Sequence, residues 1–150
     1  MTEMNGFGPE NYSILKYRVL YADTDKMGIV YHSNYFRWFE AARGSYMRRR
    51  ELPYTITEAG GTQIPLTEAG IRYFKPALYE QLVDIKVWVS DITAVQVKFA
   101  YEVFFEGELL IRGFTNHAAI NVGTMRPTRV PKQFEDALNR RETLCGDPYL

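Results

Sequence analysis

Cysteine is almost absent: the one copy among 150 residues is Cys145, so no internal disulfide staples the chain. With no histidine near it in sequence, Cys145 reads as a spare intracellular thiol and not as a nucleophile. No run of 18 apolar residues occurs, which argues against a membrane-spanning helix. Residues 1–10 have no apolar stretch of the kind a secretory signal needs, and the Asn11-Tyr12-Ser13 glycosylation triplet is then a chance match. The expected location is the cytoplasm. Charge of one sign is also missing: 18 Lys+Arg stand against 18 Asp+Glu, a formal net charge of zero. Phosphate binding in bulk needs excess positive charge, so nucleic acid is not an expected partner. There is no phosphate loop, no dinucleotide fingerprint and no nucleophile elbow.

What is present is a globular composition: 46% hydrophobic, 15% aromatic and 24% charged residues. A disordered regulator is short of aromatics, so that class is excluded. A chain of this length buries roughly 70% of its unfolded surface and forms one domain. Residues 1–11, with Gly6, Gly8 and Pro9, read as a loose tail, and residues 12–150 as a single domain.

Leu15, Tyr17, Val19 and Tyr21 alternate with Lys16 and Arg18, the pattern of a half-buried strand starting near Ile14. A polar stretch ending in Gly28 stops it. The spacing then predicts a helix from Ser33, as N-cap, to about Arg50. Tyr35, Phe39, Ala42 and Tyr46 recur at i, i+4, i+7 and i+11, a single apolar stripe. Arg48, Arg49 and Arg50 suit a solvated helix C-terminus, and Pro53 stops the chain from continuing. A loop follows around Gly60-Gly61. Gln63–Phe74 reads as one irregular extended segment interrupted by Pro65. Gln81–Asp91 and Val95–Phe105 alternate as strands. Glu106-Gly107 makes a hairpin turn into Leu109–Val122, and a second helix runs from Pro131 to about Leu144. One long helix followed by consecutive strands is an α+β architecture with an antiparallel sheet, and the helix must cover that sheet. The sheet's free edges suggest a dimer.

The chemistry concentrates in Tyr21–Tyr35. Two carboxylates, Asp23 and Asp25, a glycine turn and His32 directly precede a helix N-terminus. That end offers unpaired N–H groups and positive partial charge, which can polarise a carbonyl. A carboxylate held nearby can attack that carbonyl or activate a water toward it. The same residues allow other readings. A calcium loop fails, because Met27 and Asn34 stand where it needs an oxygen ligand and a bidentate glutamate. A metal site from Asp23, Asp25 and His32 lacks a second local histidine. Aspartates that only shape a turn or cap a helix are common, and spacing alone favours that use. His117 reads as structural, Tyr35 and Trp38 as core, and Tyr31 as an acyl contact.

The run Asp23-Thr-Asp25-Lys-Met-Gly28-Ile-Val-Tyr-His32-Ser-Asn34-Tyr35 resembles the active-site signature of the hotdog-fold acyl-CoA thioesterases. Its branch is that of 4-hydroxybenzoyl-CoA thioesterase and of the Tol–Pal-associated short-chain acyl-CoA thioesterases. The likeness extends to Asn34-Tyr35-x-x-Trp38, Ala41-Ala42-Arg43, Tyr73-Phe74-Lys75-Pro76-Ala77 and Arg126–Pro131. It implies a hotdog fold, a long helix wrapped by a curved antiparallel sheet. It implies hydrolysis of acyl- or aroyl-CoA thioesters without metal or other cofactor. It implies a homodimer or homotetramer with the active site between subunits. By the matched motif Asp25 is the catalytic carboxylate, as general base or nucleophile. His32 is the second catalytic position, its backbone N–H polarising the thioester carbonyl. Tyr31, Asn34 and Lys75 are candidate substrate contacts, and Asp23 is structural.

One stretch departs from the family. The benzoyl-CoA enzyme carries a basic cluster for the CoA phosphates where this chain has Asp91-Ile-Thr-Ala-Val-Gln96. Phosphate contacts then fall to Lys75, Lys98, Arg126 or Arg129, and acyl carrier protein stays open as the thioester carrier. Two other functions remain: a hydratase or dehydratase acting on a thioester, whose signature this sequence fits poorly, and a non-catalytic thioester-binding module.

Overall fold

A computed structural model describes residues 7–142; Cys145, the spare thiol, lies outside them. In chain order the elements are β1 (Tyr12–Arg18), α1 (Asn34–Arg49), α2 (Tyr54–Ala59), β2 (Thr62–Gln63) and β3 (Leu66–Tyr73). They continue with β4 (Leu82–Ile92), β5 (Gln96–Phe105), β6 (Glu108–Ala118), β7 (Ile120–Asn121), β8 (Arg126–Pro127) and α3 (Lys132–Asn139). One antiparallel five-stranded sheet runs in the order β1-β4-β5-β6-β3, and β2-β7-β8 form a small second sheet. This is the α+β hotdog architecture, a curved antiparallel sheet around one long helix.

Alternation decides the core. Val83, Ile85, Val87 and Val89 of β4 and Val97, Phe99, Tyr101 and Val103 of β5 are buried. Their outward neighbours are half-exposed or exposed, the one-sided pattern of an antiparallel sheet. The apolar stripe of α1 meets that face. The Phe39 ring stacks on Tyr101 with centroids 4.0 Å apart and planes 7° from parallel. Gly113 of β6 makes this approach possible, since a Cβ there would stand 2.6 Å from the Phe39 ring.

Several boundaries differ from the sequence expectation. Tyr21 leaves the strand face for a short 3-10 turn, Tyr21–Asp23, and is 76% exposed. The Asp23 carboxylate takes the N–H of Leu20 and bends the chain there. The Gln63–Phe74 segment is two strands in two sheets, parted around Pro65, which has no N–H to give a ladder. Helix α2 precedes the expected Gly60-Gly61 loop, in a stretch for which the pattern predicts no element. The strand expected over Leu109–Val122 breaks at Ala119, and α3 ends at Asn139.

The largest correction is Arg50. It is not solvated but 0% exposed. Its guanidinium donates to Asn11 Oδ1, Ser13 Oγ and the Arg140 carbonyl, each at 2.7 Å, and to the Tyr46 carbonyl at 3.1 Å. It also lies 3.4 Å over the Tyr46 ring. Asn11, expected to end a loose tail, is buried in this knot. Arg49 is buried too, paired with Glu142 at 2.9 Å.

Candidate active site

The loop between β1 and α1 is built around Asp23. Its Oδ2 accepts from the Tyr17 hydroxyl at 2.7 Å and from the Leu20 N–H at 2.8 Å. Burial, helped by this carboxylate, pushes the Tyr17 phenol up to about 12. The Asp23 carbonyl accepts from the Tyr31 N–H at 2.9 Å and the Asn34 side-chain amide at 2.8 Å. One residue therefore ties the end of β1 to the start of α1.

Within that frame Asp25 opens a tight turn. Its N–H donates to the Ile29 carbonyl at 2.9 Å, and its carbonyl accepts from Gly28 N–H at 3.0 Å. Gly28 has φ +82°, which a side chain would oppose. Val30 N–H fastens the loop to the Ala77 carbonyl at 3.0 Å. Asp25 Oδ1 accepts from Met27 N–H at 2.8 Å, and its Oδ2 has no hydrogen-bond partner among the described residues. One Asp25 oxygen thus holds the turn while the other is unpartnered among the described residues.

Ser33 occupies the N-cap position of α1 without a side-chain cap. Asn34 N–H reaches back to the Tyr31 carbonyl at 2.9 Å. The N–H groups of His32 and Ser33 have no acceptor among the described residues. Such donors, added to the helix dipole, suit an oxyanion.

Asp25 and His32 line one cleft of about 320 Å³, together with Ile29 and Val30. Tyr35 of α1, Tyr73 at the end of β3, and Phe74, Lys75 and Pro76 complete it. A larger cavity of about 630 Å³ is lined in part by Arg43, Met47, Phe99 and His117 and includes neither Asp25 nor His32. Size favours the second; the carboxylate and the unpaired helix donors favour the first.

Of the residues singled out from sequence, the cleft gathers Asp25, His32 and Lys75. Lys75 Nζ donates to Glu108 Oε2, an exposed pair that a phosphate can displace at little cost. Lys98, Arg126 and Arg129 do not line it. Asn34 is engaged with Asp23 and belongs to the scaffold of the loop. Tyr31 is 45% exposed and sits outside the lining, its ring 4.3 Å from that of His32. Asp23 gives its Oδ2 and its carbonyl to the loop, and no group of three or more His, Cys, Asp or Glu among the described residues is placed to hold a metal. Tyr35 is both core and cleft: it is 1% exposed and its hydroxyl accepts from Ala77 N–H at 3.2 Å. Sequence reasoning missed Tyr73 and Phe74 as cleft walls. Their place inside the matched Tyr73-Phe74-Lys75-Pro76-Ala77 run was the available signal.

His117 is remote from this cleft. Its Nε2 meets Thr115 Oγ1 at 2.9 Å, Thr115 meets the Tyr101 hydroxyl at 2.7 Å, and Arg43 donates to Tyr101 at 3.0 Å. Burial first, then the Arg43 charge, lowers the His117 pKa to about 4.

Residues 19–138 match the family described as the thioesterase-like superfamily. The acyl-CoA thioesterase YbgC of Haemophilus influenzae is 28% identical over 123 residues, covering 81% of this chain and 90% of the relative. The solved DHNA-CoA thioesterase of Staphylococcus aureus superposes with a TM-score of 0.78 at 37% identity, covering 83% of this chain and 85% of that one. A 1,4-dihydroxy-2-naphthoyl-CoA thioesterase from Synechocystis shares the fold, with a TM-score of 0.79 at 24% identity over 85% of this chain and 95% of that one.

Proposed function

The chain belongs to the thioesterase-like superfamily, and from that membership we propose that it hydrolyses acyl-CoA thioesters to the free acid and CoA, with Asp25 as the catalytic carboxylate. The observation that carries this reading is the single cleft in which the Asp25 carboxylate meets the unpaired N–H end of α1. The thioester carbonyl is polarised by the His32 N–H and the helix dipole. Asp25 Oδ2 attacks the carbonyl carbon, the CoA thiolate leaves and water then hydrolyses the mixed anhydride to the free acid; or Oδ2 takes a proton from a water that attacks the carbonyl, and the CoA thiolate leaves with the free acid as product. The His32 imidazole stands beside the same carbonyl as a polar contact or proton carrier.

The aromatic walls, Tyr35, Tyr73 and Phe74, favour an aroyl group over a simple aliphatic one. The names of the Staphylococcus aureus and Synechocystis relatives point the same way. Lys75 is the cation of the cleft for the CoA phosphates. Two or more copies assemble through the open edge of the sheet. CoA thioesters are polyanions that do not cross membranes, so the cytoplasm is the place of action; no helix among the described residues is long and apolar enough to span a membrane.

The test is thiol release from a panel of acyl- and aroyl-CoAs by the wild type and Asp25→Asn. A fall of about a hundredfold or more in kcat with little change in KM is expected, the signature of lost transition-state stabilisation. Equal rates for the two proteins would remove Asp25 from the reaction.

A further inference from the structure

Tyr73 is the last residue of β3, and it lines the cleft with Asp25 and His32. Its hydroxyl donates to the His32 carbonyl at 2.7 Å, across 41 residues of chain. That carbonyl stands outside the helix ladder. In a regular α-helix the N–H of Phe36 would bond to it, but Phe36 N–H goes to the Ser33 carbonyl at 3.2 Å. The first turn of α1 closes three residues back, not four, and the Tyr73 hydroxyl is the hydrogen-bond donor to His32 O among the described residues.

The consequence follows from peptide planarity. Each peptide unit is rigid, so holding its C=O also aims its N–H. The Tyr31–His32 unit carries the His32 N–H and is pinned by Asn34 N–H on the Tyr31 carbonyl at 2.9 Å. The His32–Ser33 unit carries the Ser33 N–H and is pinned by Tyr73. Release of that unit would let ψ of His32 rotate. The negative end of a carbonyl would then be free to swing to the place where negative charge develops during thioester attack, which repels it. Burial raises the Tyr73 phenol above its ordinary value of 10.0, so it is a hydroxyl donor throughout the neutral range.

We propose that Tyr73 is a positioning residue for thioester hydrolysis: its hydroxyl locks the His32–Ser33 peptide so that the mouth of α1 presents N–H groups, not a carbonyl, to the thioester oxygen. The inference rests on the assignment of the Asp25–His32 cleft as the reaction site. It differs from a role for the Tyr73 ring as a mere wall for the acyl group.

The experiment compares Tyr73→Phe and Tyr73→Leu with wild type, using the CoA thioester that the wild type hydrolyses fastest. Tyr73 is 47% exposed, so the loss of one hydroxyl leaves the fold intact, and a thermal midpoint checks this. The expected result for Tyr73→Phe is a fall in kcat of about tenfold, less than the hundredfold or more that follows loss of a direct oxyanion donor. KM stays within about threefold, because the ring still lines the cleft. The amide ¹H–¹⁵N signals of His32 and Ser33 shift in the ligand-free variant, before any substrate is present. An unchanged kcat in Tyr73→Phe, with a raised KM only in Tyr73→Leu, would reduce Tyr73 to a wall and overturn the proposal. A fallen kcat with unmoved His32 and Ser33 amides would mean that the hydroxyl touches the substrate itself, which also overturns it. Inactivity of the wild type toward every CoA thioester would overturn the reading of the cleft, and the proposal with it. Unmoved amides in an active enzyme sink Tyr73 alone.

Discussion

Asp23 and Asp25 lie two positions apart and do different work: Asp23 is buried, with its Oδ2 bonded to Tyr17 and Leu20, while Asp25 is half-exposed and lines the cleft. Asp23 satisfies the Leu20 N–H and the Tyr17 hydroxyl, so Asp23→Ala leaves both without an acceptor. A loss of about 2 kcal/mol in unfolding free energy is expected, read as a lower urea midpoint at constant m. Activity should fall as well, since the loop that carries Asp25 loses its hub. His117 gives a pH prediction of definite sign. Its folded pKa of about 4 lies below the ordinary 6.5, so the unfolded chain binds more protons between these values. Stability is therefore full above about pH 6.5 and declines as pH falls toward 4, by at most about 3 kcal/mol. Urea midpoints across that range should slope in the wild type and flatten in His117→Gln. Asp25, His32 and Lys75 were legible because the carboxylate, the histidine and the helix start lie within one short run, with Lys75 inside a matched motif. The bonds of Asn34 to the Asp23 carbonyl and of Tyr73 to the His32 carbonyl were not legible, because a carbonyl acceptor carries no signature in the residue alphabet.

Helix α1 was readable from its stripe, since a 3.6-residue period needs only local sequence. Its C-terminal end was not. Three consecutive arginines look like a solvated terminus, but the sequence cannot show that Asn11, Ser13 and the Arg140 carbonyl converge on one of them. These partners belong to segments 37 to 90 residues away in the chain, and neutral acceptors leave no charge pattern to match. Arg50 thereby clamps β1, the end of α1 and the chain after α3. Lysine cannot reproduce the planar fork, so Arg50→Lys should cost nearly as much as Arg50→Ala, about 3 kcal/mol, in chemical denaturation. Both variants should leave KM near the wild-type value, because the knot shares no residue with the cleft. Gly113 makes the complementary point about close approach. Gly113→Ala drives a methyl into the Phe39 ring, and about 1–3 kcal/mol of destabilisation by overpacking is the expected outcome, again from urea midpoints.

The sheet ends at β3, and that end is poorly defended against another copy. An exposed edge strand invites pairing unless proline, lysine or a bulge blocks it. β3 has neither proline nor lysine within Leu66–Tyr73, and its bulge lies at its start, between Leu66 and Glu68. Leu66, Tyr73 and Phe74 are each close to half-exposed along it. Its charges are also unbalanced within one chain. Arg72 pairs across the ladder with Arg112, a like-charge neighbour whose own carboxylate partner is Glu102. A two-fold antiparallel pairing of β3 with β3 of a second copy, centred on Gly70, sets Glu68 opposite Arg72 twice by symmetry. It also sets Ala69 opposite Ile71, where no bulk obstructs the approach. Each exposed pair contributes under about 1 kcal/mol, so two together change the dissociation constant by about tenfold. Glu68→Arg should therefore weaken a dimer by about that factor at low salt, and less at high salt as the charges are screened. The double variant Glu68→Arg, Arg72→Glu should restore it, because the pairing is re-created with reversed sign. Sedimentation equilibrium of the three proteins decides the matter. A single variant as tightly associated as wild type, or a double variant that fails to recover, would place the interface on another edge of the sheet.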